Sequence, residues 1–169
     1  VIGFYLFYSY SGNSEDSLEE ISDIHLNSGD SNPITPENTV AVLTRSVGLK
    51  WSDQTGFRPG DGSTLEASAL ELSEGLVQVE FLKGATVILE GPVNFEILNQ
   101  NKGSLKVGKL RASVPKVARG FTVALPKGEI IDLGTEFGLH VHDGGASEIF
   151  VYRGEVLYKG ITDSGEELV

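Results

Sequence analysis

Cysteine is missing from all 169 residues, which excludes disulfides and thiolate metal sites. Methionine is missing too, position 1 included, so the expectation is a piece of a longer protein. No segment after residue 39 repeats its apolar residues at the spacing of about 3.6 that an amphipathic helix needs. Catalytic signatures are absent as well. There is no G-x-S-x-G, no G-x-x-x-x-G-K-[ST], and no G-x-G-x-x-G opening a helix. Basic residues are missing from one whole stretch. Residues 13–38 hold Glu15, Asp16, Glu19, Glu20, Asp23, Asp30 and Glu37 with no Lys or Arg.

What is present describes a globular β protein. The 40% apolar and 22% charged content belong to a chain that can bury a core, and 21 glycines with 6 prolines supply many turns. The net charge of -11 argues against nucleic acid as a partner, and against an anionic membrane surface. The sign reverses in residues 101–120, where Lys102, Lys106, Lys109, Arg111, Lys116 and Arg119 occur without an acid.

The chain divides into four stretches. Residues 1–10, VIGFYLFYSY, are uncharged and end in aromatics, which reads as the outer end of a transmembrane helix with its tyrosines at the interface. A core or amyloid-like β-strand is the alternative reading. Residues 11–38 form an acidic tether with a short helix suggested around Ser17–Glu20, and like-charge repulsion keeps it extended. Residues 39–160 are the folded β domain, and residues 161–169 begin a linker.

Within the β domain, period-two alternation recurs: Val77, Val79, Phe81; Ala85, Val87, Leu89; Val93, Phe95, Ile97; Phe121, Val123, Leu125. Turn signals return at about every 8 to 12 residues, which predicts an all-β fold of short antiparallel strands. Both a two-sheet sandwich and a β-solenoid-like stack fit, the latter because a loose glycine-led unit recurs at Gly75, Gly84, Gly103, Gly120 and Gly154. Residues 130–141, IIDLGTEFGLHV, stand at the centre. They read as one bent strand with Leu133, Phe137, Leu139 and Val141 on one face and Glu136, His140 and His142 on the other. Residues 148–158 read as a hairpin around Arg153-Gly154.

The pieces GATVILEGP, LRASVP, GFTV, DLGTEFG and VYRGEV, in this order between Thr39 and Lys159, resemble a FecR-type domain of the planctomycete and verrucomicrobial envelope-protein variety. The structural motif of that resemblance comprises Asp132, Gly134, Thr135, Glu136, Phe137 and Gly138. The resemblance implies a bacterial single-pass membrane protein, anchored in the inner membrane with its β domain in the periplasm. It implies signal transduction of the anti-sigma kind, with a receptor or a sigma-factor system as protein partner. No cofactor is implied.

Few residues carry chemistry. Glu136, His140 and His142 give E-x3-H-x-H on one strand face, a candidate for zinc or iron set against an ordinary exposed face. Asp132 and Glu136 lie about 13 Å apart along a strand, too far for an acid and base pair, so Asp132 reads as a turn-capping acceptor. With no nucleophile placed by a motif, no enzyme is expected. Lys102, Lys106, Lys109 and Arg111 form a solvent-facing strip, either a docking site for an acidic partner or plain edge protection. Two non-catalytic functions follow: recognition of a protein partner, or a structural or carbohydrate-binding envelope module with Trp51, Tyr152 and Tyr158 as the aromatic platforms. Alternation suggests that those three are mostly buried.

Overall fold

The structure, a computed structural model, describes residues 38–54, 56–161 and 167–168. The membrane-helix end at 1–10 and the tether up to residue 37 lie outside them. Among the described residues no helix is long and apolar enough to cross a membrane.

The domain is all-β. Its strands are β1 (Ala41–Trp51), β2 (Thr64–Leu65), β3 (Ser68–Phe81), β4 (Thr86–Asn99), β5 (Lys102–Ser113), β6 (Thr122–Leu125), β7 (Gly128–Asp132), β8 (Glu136–Val141), β9 (Ser147–Arg153), β10 (Val156–Ile161) and β11 (Glu167–Leu168), with one 3-10 turn at Lys116–Ala118. All join one hydrogen-bonded sheet. Three strands are longer than the turn signals suggest. Gly75 lies inside β3, Gly91-Pro92 inside β4 and Gly108 inside β5, and none of them ends its strand.

Those positions are instead where the sheet bends. The ladders slip register at 47–50 of β1, 72–76 of β3 and 90–94 of β4. The buried residues change parity at the slip, from Leu70 and Leu72 to Val77 and Val79 in β3, and from Leu105 to Leu110 and Ala112 in β5. A bulge inserts one unpaired residue and kinks the strand, so one face stays buried through the corner. A Cβ on Gly91 would stand 2.9 Å from the backbone of Glu74, and one on Gly108 would stand 2.5 Å from the carbonyl oxygen of Pro92. The glycines form a crease across the sheet.

Folding along this crease makes two facing layers from one sheet. Glu80 pairs with Thr86, so Phe81 and Phe95 lie about 30 Å apart measured along β4. Their rings nevertheless meet edge to face with centroids 6.5 Å apart, and Phe81 also packs on Phe121 at 4.8 Å. A single core results, with Leu43, Val79, Leu89 and Phe137 from one layer against Phe95, Leu105, Val123 and Ile130 from the other. Each side chain of this size contributes about 1.5–3 kcal/mol when fully buried.

The sheet branches at β5. Its first residues, Lys102–Ser104, pair in parallel with β6, the one parallel contact among the described strands, while Gly108–Ser113 pair antiparallel with β8. One arm continues β6–β7–β10–β11 and the other β8–β9. Residues 130–141 are therefore not one bent strand. They are β7 and β8, which lie in different arms and never pair, and Leu133 sits exposed in the turn between them. Residues 148–158 do not form a hairpin either: β9 pairs with β8 and β10 with β7. No glycine-led stack is present among the described residues. Glu167 and Leu168, within the stretch read as a linker, pair with Ile161 and Gly160.

Candidate functional site

The two chain crossings between the arms lie side by side. The turn at 132–135 carries β7 into β8, and the turn at 153–155 carries β9 into β10. Thr135 Oγ1 donates to the carbonyl of Glu155 at 2.6 Å, and the Leu133 amide reaches the same carbonyl at 3.3 Å. Asp132 is fully buried. Its Oδ2 accepts from the Gly134 amide at 2.6 Å, an Asx-type turn, while Oδ1 has no hydrogen-bond partner among the described residues. Gly134 has φ +98, and a Cβ there would press on the Arg119 side chain at 3.1 Å. DLGTEFG and VYRGEV are thus the two halves of one clasp that ties the layers together opposite the crease. Phe137 and Gly138 follow Glu136 in β8 as buried residues.

From the clasp, β8 carries a charged row onto the outer face. Glu90 of β4, Lys109 of β5, His140 of β8 and Glu148 of β9 stand directly opposite one another across four strands. Direct antiparallel partners point to the same side, so all four side chains share one surface. Lys109 Nζ lies 3.2 Å from Glu90. Glu148 lies 3.8 Å from His140 Nδ1 and 3.4 Å from His142 Nε2, and the two imidazole rings are 3.9 Å apart.

Of the three metal candidates, the structure brings together His140 and His142 and leaves Glu136 out. Glu136 is bound to Arg111, and this hydrogen-bonded carboxylate raises the guanidinium pKa above its ordinary value. A cross-strand partner stands about 5 Å away, against about 13 Å for a residue four along the same strand. Glu148 therefore takes the place expected for Glu136.

The basic strip is exposed as expected for Lys106, Lys109 and Arg111, with Lys102 half-buried, but each member has an acid beside it. Lys102 pairs with Glu129 at 3.0 Å, Lys106 with Glu96 at 3.7 Å and Lys109 with Glu90 at 3.2 Å, while Arg111 pairs with Glu136. The acids come from β4, β7 and β8, so a strip that is purely basic in sequence is locally neutral in space. Three other cations, Lys116, Arg119 and Arg153, line a groove of about 800 Å³ beside the clasp. None has an ion-pair partner among the described residues. Sequence reading placed Lys116 and Arg119 in the basic stretch but not Arg153, which only the crossing brings to them.

Beside the charged row lies an aromatic surface. Arg111 sits over the Tyr152 ring at 4.9 Å, and Tyr152 lies against Gly138, where a Cβ would come 2.8 Å from its hydroxyl. Phe150, Tyr152, Glu90, Arg111, His140 and Glu148 are among the residues lining a groove of about 490 Å³. Tyr152 is 58% and Tyr158 47% exposed, unlike the burial that alternation suggested, whereas Trp51 is half-buried against the core. On the inward face of β9, Ile149 packs partly against the core while Val151 is 45% exposed; on the outer face Phe150 is 48% exposed. On its outer side β9 has no strand neighbour among the described residues. No family model, no curated protein and no solved structure matches this chain.

Proposed function

We propose that this is the non-catalytic, extracytoplasmic FecR-like domain of a single-pass membrane protein, relaying an envelope signal by protein–protein contact along the outer edge of β9. The observation that carries the reading is the state of that edge. Among the described residues β9 hydrogen-bonds on one side only, to β8, and Phe150, Val151 and Tyr152 are exposed on both of its faces. Edges of this kind are ordinarily blunted by charge, bulges or cover; β9 carries Glu148 near its start and Arg153 and a bulge at Tyr152 near its end, which leaves Ile149 to Val151 as the regular stretch that a partner strand can join. Arg153 ends β9 beside Lys116 and Arg119, so an extended apolar segment followed by acids is complementary to it. The resemblance to FecR-type domains supports an envelope location and a signalling partner of the receptor or sigma-factor kind.

Site-specific photocrosslinking in the envelope of the native host tests this. A crosslinker at Phe150 is expected to capture one discrete protein, and Val151→Lys is expected to abolish both the adduct and the transcriptional response of the cognate sigma factor. A crosslinker at Gln78, on β3 away from β9, serves as the control. Equal adducts at both positions, or a normal response from Val151→Lys, would refute the reading.

The aromatic groove favours one alternative, a carbohydrate-binding envelope module. Two exposed rings flanked by carboxylates and a guanidinium suit a sugar that stacks and hydrogen-bonds. Saturable quenching of tyrosine fluorescence by cell-wall oligosaccharides, lost in Tyr152→Ala, would favour it over protein contact.

A further inference from the structure

We propose that His140, His142 and Glu148 form an exchangeable binding site for a divalent transition-metal ion of the zinc class. This goes beyond the contact role of β9. The backbone sets the placement. His140 lies in β8 and His142 just past its end, where its amide donates to the Ala146 carbonyl and its ring lies 3.9 Å from that of His140, and Glu148 is the direct cross-strand partner of His140. One ligand atom from each residue lies within 4.8 Å of the other two.

The separations suit zinc. Bonds of about 2.0–2.1 Å arranged tetrahedrally put neighbouring ligand atoms about 3.4 Å apart. Glu148 stands with Oε1 3.4 Å from His142 Nε2 and Oε2 3.8 Å from His140 Nδ1, and with one atom from each residue the set lies within 4.8 Å, so rotamer changes at these side chains bring it to bonding geometry. Two neutral imidazoles and one carboxylate leave a net charge of +1 on a bound dication. The nearest cation, Lys109, is already paired with Glu90 and opposes the ion little. Both histidines also line a groove of about 610 Å³ shared with Asp143, which leaves the remaining coordination positions open to water or to a ligand from a partner. The two imidazoles select Zn²⁺, Cu²⁺ or Ni²⁺ over Mg²⁺ and Ca²⁺.

The test titrates the full chain with Zn²⁺ against a chromophoric chelator, and with Co²⁺ read by its visible absorption. One ion per chain is expected, with Mg²⁺ failing to compete. His142→Ala and Glu148→Gln should each weaken binding at least about tenfold, since even supporting residues around metal ligands cost that much. Glu136→Gln should leave it unchanged, as should His25→Ala, a change at the chain's third histidine, which lies outside the described residues. Circular dichroism of Glu148→Gln, a near-isosteric change at an exposed position, guards against misfolding as the cause. Failure to take up Zn²⁺, or uptake lost in His25→Ala but kept in His142→Ala, would overturn the proposal.

Discussion

Replacing Gly108 by alanine is expected to be among the most damaging single-methyl changes in the domain. Gly108 has φ +104, a region that costs an L-residue about 1–2 kcal/mol. The new Cβ would also stand 2.5 Å from the Pro92 carbonyl oxygen and 2.7 Å from the Val93 Cα. Both are backbone atoms, so β4 must move, and overpacking of this kind costs about 1–3 kcal/mol. Restricting the unfolded chain returns about 0.4–1 kcal/mol. The net loss is about 1–5 kcal/mol, which lowers the melting temperature of a chain this size by about 2–20 °C. Gly144→Ala is the matched control. It has φ +91 with nothing within 4 Å of the added methyl, so it isolates the backbone contribution. Urea unfolding of wild type and both variants gives the two differences directly. A Gly108→Ala protein within about 0.5 kcal/mol of Gly144→Ala would refute the close approach of β4 and β5 at the crease.

Two further outcomes follow from the clasp and the charged strip. Thr135→Val removes the part-buried hydrogen bond to the Glu155 carbonyl and should cost about 1 kcal/mol in urea unfolding, with faster amide exchange at 153–156; unchanged exchange there would mean the two crossings do not support each other. Lys102→Ala, which breaks a half-buried pair with Glu129, should destabilise by about 0.5–1 kcal/mol, whereas Lys109→Ala at an exposed pair should stay within about 0.5 kcal/mol. Thermal melts at low and high salt check this, since screening acts mainly on the exposed pair.

The amino-acid sequence by itself determined the class of fold and most of its core. Period-two runs such as Val77, Val79, Phe81 and Val93, Phe95, Ile97 can bury one face only as strands, and the absence of a helical period left no competitor. Asp132 as a turn acceptor was also legible, because a short carboxylate two residues before a glycine bonds locally. Long-range pairing was not. Gly75, Gly91 and Gly108 look the same in sequence whether they end a strand or bend it, since the difference is made by the neighbouring strand that each must approach. For the same reason the sequence set Glu136 beside the histidines and left Lys102 to Arg111 unpaired. On a strand the nearest side chains belong to other strands, about 5 Å away and many residues distant in the chain. Only the register of β8 against β5 and β9 could decide that Glu136 holds Arg111 and that Glu148 meets His140 and His142.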